Sequence, residues 1–355
     1  MKNSHAVALG KKGGRVRSKA KAAAVRRNGK LGGRPKFKIG SFFGDKKQLT
    51  YADMFCGIGG FHAAADSLGM KCVFACDIDE DARKAYEANY GIQPESDICR
   101  IEPSGVPDHD VLFAGFPCQP FSIIGSQEGF ADARGTLFFE LAKIIEAKQP
   151  SAFVLENVKQ LATHNNGETL KRILEILRGL RYTVDYRIFN ALNFGLPQKR
   201  ERVLIVGFKG PVEGFAWPDK KMAMRPLSEL LEKKPDKSLF ASERIRRARH
   251  EAHKAKVKPS IWHENKAGNI CSYPYSCALR AGASYNYLLV NGERRLSSRE
   301  MLRLQGFPES FQIVCNASQT RKQAGNAVPV PIVKAVLEKV LHAQRAETKG
   351  NRKAA

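Results

Sequence analysis

Leu49-Thr50-Tyr51-Ala52-Asp53-Met54-Phe55-Cys56-Gly57-Ile58-Gly59-Gly60 reads as a short apolar strand that runs straight into a glycine-rich turn. A helical stretch, Phe61 to Leu68, follows at once. Strand, glycine turn and helix together open a nucleotide-binding α/β unit. The glycines let backbone approach a ligand closely, and the helix start offers free N–H groups. The spacing Gly57-Ile58-Gly59-Gly60 is too compact for GxGxxG, which argues against an NAD-dependent dehydrogenase.

Downstream, the same alternation repeats. Lys71 to Cys76 (KCVFAC) is a second strand, and it ends in Asp77. An acid about 20 residues after the glycines is placed to hold a ribose diol. Asp77 is equally placed to cap a helix from about Asp79 to Asn89. Glu95 to Ile98 is a short third element with Asp97 at its tip. Asp110 to Ala114 is a buried strand that breaks into Gly115-Phe116-Pro117-Cys118-Gln119-Pro120-Phe121-Ser122. Proline cannot donate to a ladder, so Cys118, between two prolines, sits on a stiff loop at a carboxyl strand end. There it is either a nucleophile or a small buried thiol.

Thr136 to Lys148 carries apolar residues at helical spacing, and Pro150 ends it. Ser151 to Leu155 is another buried strand, and it delivers Glu156-Asn157-Val158 to the sheet edge that carries Cys118. A helix with Leu170, Ile173, Leu174 and Leu177 on one face comes next. Strands near 182–190 and 203–208 then bracket Gln198-Lys199-Arg200-Glu201-Arg202. Strands and helices in this alternation predict a mostly parallel sheet covered on both faces.

The 355 residues carry a net charge of +24, which points to a polyanion, with nucleic acid as the default partner. Residues 1–50 hold 15 Lys and Arg against one acid, Asp45. The remaining body is still basic, at +10. Residues 1–48 are too poor in apolar bulk to offset their ordering entropy, and they are expected to be a disordered, electrostatic arm. Within it, Gly32-Gly33-Arg34-Pro35-Lys36 resembles the core of an AT-hook, which would place Arg34 in a DNA minor groove. The eight cysteines form no CxxC pair and no Cys/His cluster. No metal site is expected, and reduced thiols suit a cytoplasm. No apolar run reaches membrane-span length.

Residues 209–318 differ in texture. Up to residue 293 they contain both tryptophans, many turns, and 16 basic against 9 acidic residues, with one basic helix near 241–258. Order returns with Arg295-Leu296-Ser297-Ser298-Arg299-Glu300, where either serine can cap a helix. A final helix runs from about Pro331 to Gln344. The expected division is therefore a tail (1–48), a cofactor-binding catalytic domain (49–208), and a small domain (209–318). A segment returning to the first domain (319–345) and an end tail (346–355) complete it.

Six ordered motifs resemble the DNA (cytosine-5)-methyltransferase family of bacterial and phage modification enzymes. They are DMFCGIGG (53–60), GFPCQPFS (115–122), ENV (156–158), QKRER (198–202), RRLSSREMLRLQGFP (294–308) and QAGNAVPV (323–330). Six motifs in order over about 280 residues make chance agreement negligible. The resemblance implies a Rossmann-like, S-adenosyl-L-methionine-dependent domain with a mostly parallel seven-stranded sheet. The loop-rich segment takes the place of a target-recognition domain, and the two lobes clamp duplex DNA.

The resemblance also implies roles. Cys118 attacks C6 of a flipped cytosine, and Glu156 is the acid at N3, with a helix-capping carboxylate as the alternative. Arg202, joined by Arg200, holds the base carbonyl and a flanking phosphate. Phe55, Gly57 and Gly59 take the methionine end of the cofactor. Asp77 with Ile78 takes the ribose, and Asp97 with Ile98 the adenine. Asn326 and Val328 close the pocket. Gln119 and Ser122 belong to a loop, 119–127, that closes on DNA, with Gly125 as hinge. Many members have Glu and an aromatic where this chain has Asp77-Ile78, and a Thr-Leu pair where it has Ala278-Leu279. The implied partner is double-stranded DNA, with a cognate restriction endonuclease acting separately unless the enzyme is solitary, and a monomer is expected. A transfer-RNA cytosine methyltransferase and an inactive DNA-binding subunit are the competing readings. Retention of Cys118, Glu156, Arg200 and Arg202 together argues against the second.

Overall fold

The computed structural model describes residues 48–117, 137–212, 214–219 and 221–354, with side chains to residue 345. Residues 47–355 form one compact unit.

The opening run forms β1 (Thr50–Met54), and the helix after the glycine turn is α1 (Gly60–Asp66). β2 (Lys71–Cys76) and α2 (Glu80–Tyr90) follow, then β3 (Val111–Ala114), α3 (Leu137–Lys148), β4 (Ala152–Val158) and α4 (Glu168–Gly179). β5 (Tyr182–Asn190) and β7 (Glu201–Lys209) flank a two-residue strand, β6 (Gln198–Lys199). The main sheet has the order β2-β1-β3-β4-β7-β5. β1 pairs in parallel with β2 and β3, and β3 with β4. β7 runs antiparallel between β4 and β5.

Period-two alternation decides which core each strand side chain enters. Tyr51, Phe113, Val154 and Val206 belong to one apolar cluster, together with α1. Ala52, Leu112, Phe153, Leu155 and Ile205 belong to the other, together with α3 and α4. Strands buried on both faces must be apolar throughout, which is why the sequence reads as short continuous hydrophobic runs.

Among the described residues this sheet has six strands, against the seven that the resemblance implies. Glu95 makes a single parallel bridge with Cys76. The chain then turns, because the Asp97 side chain accepts from the Cys99 N–H and caps a 3-10 turn at Ile98–Arg100. Pro94, just before, has no N–H to give a ladder.

Residues beyond β7 build a smaller substructure. α5 (Leu227–Leu230) and α6 (Glu243–Ala252) precede β8 (Ile261–Glu264), β9 (Ile270–Tyr273), β10 (Ser276–Cys277) and β11 (Leu288–Val290). β11, β8 and β9 make an antiparallel sheet, while β10 pairs in parallel with β6. A third apolar cluster, including Leu227, Ile261, Leu279, Leu288 and Leu304, fills it. Then come α7 (Ser298–Gln305), α8 (Ala317–Asn326) and α9 (Val330–Ala354). Ser297 is the N-cap of α7, in a capping box with Glu300. The buried Glu300 carboxylate also takes both Arg294 Nη atoms, at 2.8 and 2.7 Å. α9 packs back onto α1. Among the described residues no helix is long and apolar enough to cross a membrane.

Candidate active site

A cavity of about 470 Å³ opens at the carboxyl ends of β1, β2, β3 and β4. That is the edge where open α/β sheets place ligands, since each strand there hands over to a loop. Ten of the expected site residues line it: Phe55, Gly57, Asp77, Ile78, Asp97, Ile98, Glu156, Arg200, Arg202 and Asn326. Gly59 and Val328 stand behind the wall. A Cβ on Gly59, whose φ is +82°, would lie 2.2 Å from the Tyr90 ring, so only glycine fits that corner. Val328 packs on Gly60, where any side chain would meet its Cγ2 at 2.5 Å. Cys118, Gln119, Ser122 and the loop 119–127 with Gly125 lie outside the described residues, as does Arg34.

Asp77 organises one end of the cavity. Its Oδ2 accepts from the Gly57 N–H at 2.7 Å and its Oδ1 from the Asp79 N–H at 2.8 Å. Burial raises its pKa, and those two N–H groups work against the rise. The helix cap belongs to its neighbour: Asp79, not Asp77, accepts from the Ala82 N–H as N-cap of α2. That leaves the Asp77 carboxylate, at the cavity wall, with lone pairs free for a hydroxyl. Ile78 projects at the mouth, 76% exposed. Asp97 is held in place by its own turn.

Glu156 and Arg202 occupy the other end, on the antiparallel neighbours β4 and β7. Arg202 Nε lies 2.7 Å from Glu156 Oε1, and Arg202 Nη1 donates to the Glu201 carbonyl at 2.8 Å. Burial raises the Glu156 pKa, opposed by the guanidiniums of Arg202 and Arg200. A carboxyl so placed can carry a proton at a pH where an ordinary glutamate cannot.

Arg200 also lines the cavity, with its guanidinium bonded to backbone. Its guanidinium is 1% exposed and donates to three backbone carbonyls: Leu279 at 3.0 Å, Gly325 at 2.9 Å and Ala327 at 2.8 Å. Through these bonds it ties β7's approach to the small substructure and to the turn after α8.

Sequence reasoning passed over three contributors. Asn157 donates from Nδ2 to the Phe116 carbonyl at 2.9 Å, which fixes the start of the Gly115-Phe116-Pro117 loop onto β4. Lys322 and Gln323, on α8, line the cavity, and Lys322 pairs with Asp79 at 2.6 Å. Asn157 lies inside the ENV motif and Lys322 just before QAGNAVPV, so both were within reach, but their partners were not.

The cavity's donor set fits a nucleoside-containing sulfonium cofactor. It offers a carboxylate braced at the glycine turn, apolar Phe55, Ile58, Ile78 and Ile98 for a planar base, and the Glu156–Arg202 pair in the same lining.

Comparison with known proteins gives the same picture. The family described as C-5 cytosine-specific DNA methylase matches residues 49–342. The type II methyltransferase M.NgoBI of Neisseria gonorrhoeae is 53% identical over 304 residues, 84% of this chain and 96% of that protein. The type II methyltransferase M.HaeII of Haemophilus aegyptius is 49% identical, over 85% of this chain and 96% of its own length. Among solved structures, the Dnmt2 methyltransferase of S. pombe superposes with a TM-score of 0.65 at 20% identity, over 83% of this chain and 98% of that one. That likeness carries the fold alone.

Proposed function

The chain belongs to the C-5 cytosine-specific DNA methylase family, a DNA (cytosine-5)-methyltransferase by class, and within it we propose a specific reaction. The protein moves a methyl group from S-adenosyl-L-methionine to C5 of a cytosine in a defined duplex DNA sequence. The target nucleotide is first rotated out of the stack, because its ring is otherwise out of reach. One observation carries this reading. A single cavity holds a braced ribose-type carboxylate, Asp77, at one end and a buried acid paired with arginine, Glu156 with Arg202, at the other.

Phe55, Gly57, Asp77, Ile78, Asp97, Ile98 and Asn326 would hold the cofactor, with Gly59 and Val328 shaping the wall behind. When bound, the cofactor supplies an electrophilic methyl group on sulfonium. Cys118, next in the chain after the cavity-lining Pro117, forms a bond from Sγ to C6 of the base. Glu156 delivers its proton to N3 as the thiolate adds, leaving C5 nucleophilic. Arg202 Nη2 has no hydrogen-bond partner among the described residues, which suits it to the base carbonyl. Arg200 positions this strand rather than touching the base. After methylation, water takes the C5 proton as the C6–S bond breaks, which releases the Cys118 thiolate, and N3 returns its proton to Glu156 as the ring is restored.

The small substructure over 209–318 is the candidate target reader, and the chain from 319 on closes the cavity. The type II methyltransferase names of the 53% and 49% identical relatives support reading it as a modification enzyme, and the proposal adds a separately acting nuclease, a monomer and a bacterial cytoplasm.

The test mixes S-adenosyl-L-methionine labelled in its methyl group with genomic DNA and either the native protein or Cys118→Ala. Label in 5-methylcytosine with the native protein alone supports both reaction and nucleophile. Equal label with the alanine variant removes Cys118 from the chemistry. Label accepted by transfer RNA and refused by DNA overturns the substrate.

A further inference from the structure

Three arginines stand against two tyrosines beside the cavity. The Arg295 guanidinium carbon lies 4.4 Å from the centre of the Tyr285 ring, and that of Arg321 lies 5.1 Å from the same ring. The Arg280 guanidinium carbon sits 5.0 Å from the centre of the Tyr287 ring. The Tyr287 hydroxyl also accepts from the Arg280 backbone N–H at 3.0 Å, which fixes that ring under the arginine. Tyr285 is 52% exposed and Arg280 is exposed, so these two face solvent, while Arg295 and Arg321 are half-buried and Tyr287 is buried.

No carboxylate pairs with Arg280, Arg295 or Arg321 among the described residues. That sets them apart from Arg249, Arg294 and Arg303, which each hold a glutamate. Arg321 Nε and Nη1 are shut off from solvent without a hydrogen-bond partner. Stacking on an aromatic face orients a guanidinium plane without consuming its N–H donors, which leaves Arg280 ready for a planar or tetrahedral anion. Arg295, by contrast, already gives Nη1 to Asn286 Oδ1 and Nη2 to the Ser238 and Phe240 carbonyls. Arg295 and Arg321, stacked on the same ring with no carboxylate paired to either among the described residues, repel one another, and an anion bound beside them relieves that repulsion.

The position says which anion. The backbone from Leu279 to Ala281 forms the outer layer of the cavity wall. Arg200, which lines the cavity, donates to the Leu279 carbonyl. A Cβ on Gly325, also lining it, would lie 2.4 Å from the Ala281 nitrogen. Arg321 shares α8 with the lining residues Lys322 and Gln323. A nucleotide inserted into the cavity has one phosphate on either side of its sugar, and both must stay at the rim.

We infer that Arg280 and Arg321, braced by Tyr287 and Tyr285 and backed by Arg295, form a clamp for DNA backbone phosphates flanking the extruded nucleotide. The clamp rests on the reading of the protein as a DNA cytosine methyltransferase. It is blind to sequence, since phosphates carry none, and it fixes the register in which the base enters.

The test is a salt titration of duplex binding by fluorescence anisotropy, on the full chain with S-adenosylhomocysteine present. Arg280→Ala and Arg321→Ala are each expected to reduce the slope of log affinity against log salt by about 0.9, the value for one phosphate contact. The double variant should lose about twice that. Arg172→Ala, on α4 and paired with Glu175, should leave the slope at the native value. Native affinity for S-adenosylhomocysteine in the variants shows that the fold stands. Methyl transfer by the native protein to the same duplex is measured alongside. Transfer with unchanged slopes in the double variant overturns the clamp alone. A native protein that neither binds nor methylates the duplex overturns both readings.

Discussion

Arg202 grips Glu156 through Nε, at 2.7 Å, from the neighbouring antiparallel strand, so the acid is aimed by a side chain two strand positions from its own ladder partner, Leu204. The contact holds the carboxyl in one orientation, while burial favours its proton. A charged partner and a raised pKa together make a carboxyl that is both fixed and able to donate.

Glu156→Gln keeps the shape and a hydrogen-bond donor but has no proton to transfer. We expect kcat to fall by roughly 10²–10⁴-fold, with cofactor affinity nearly unchanged. The native rate should decline as pH rises through the elevated Glu156 pKa, because the acid form is the active one. The glutamine variant should lose that limb of the profile. A native-like limb in Glu156→Gln would assign the proton to another group.

Arg200→Met removes the donors to three buried carbonyls at once. Each carbonyl left without a partner costs about 1–3 kcal/mol, so the loss should reach several kcal/mol. The denaturant midpoint reports it. A midpoint equal to the native one would mean that the Leu279, Gly325 and Ala327 carbonyls find other donors.

Asp53 has both carboxyl oxygens buried without a hydrogen-bond partner, and burial beside Asp77 raises its pKa well above 3.8. The folded state therefore retains a proton that the unfolded chain releases. Below the unfolded pKa this is neutral. As pH climbs from there toward the folded value, the native state loses ground by up to about 1.4 kcal/mol per pH unit. Asp53→Asn cannot titrate, so its stability relative to the native protein should improve as pH climbs from the unfolded pKa toward the folded one. A constant difference over that interval would mean an ionised Asp53.

Removing residues 1–48 takes away 15 Lys and Arg against one Asp. The shortened chain should bind duplex more weakly, with a flatter salt dependence, while methyl transfer at saturating DNA is preserved. An unchanged slope would remove the segment from DNA binding.

Much of this was legible before any coordinates. The run from Leu49 to Gly60 announces a strand, a positive-φ turn and a helix because glycine and apolar bulk are local signals, and Gly57 and Gly59 indeed take φ of +54° and +82°. Glu156 was legible because a charged residue at the end of an apolar run has few reasons to be there. The misreadings concern groups whose partners lie far off in the chain. Arg200 finds its carbonyls 79 to 127 residues away, and nothing in QKRER discloses that. Asp77 and Asp79 are two positions apart and chemically alike, so which one caps α2 depends on where Gly57 comes to rest. The short element at Glu95 to Ile98 makes one parallel bridge, Glu95 with Cys76, before Asp97 caps the next 3-10 turn, and neither contact can be read from its four residues.

The packing of α9 on α1 has a consequence in time. Phe61 and Ile332 share one apolar cluster although about 270 residues of chain lie between them. A ribosome adding roughly 5–20 residues per second needs about 15 to 50 s to cover that interval. Phe61 can already stack on Phe113, 52 residues on, but the face of the first helix that meets Ile332 stays uncovered until the last helix arrives.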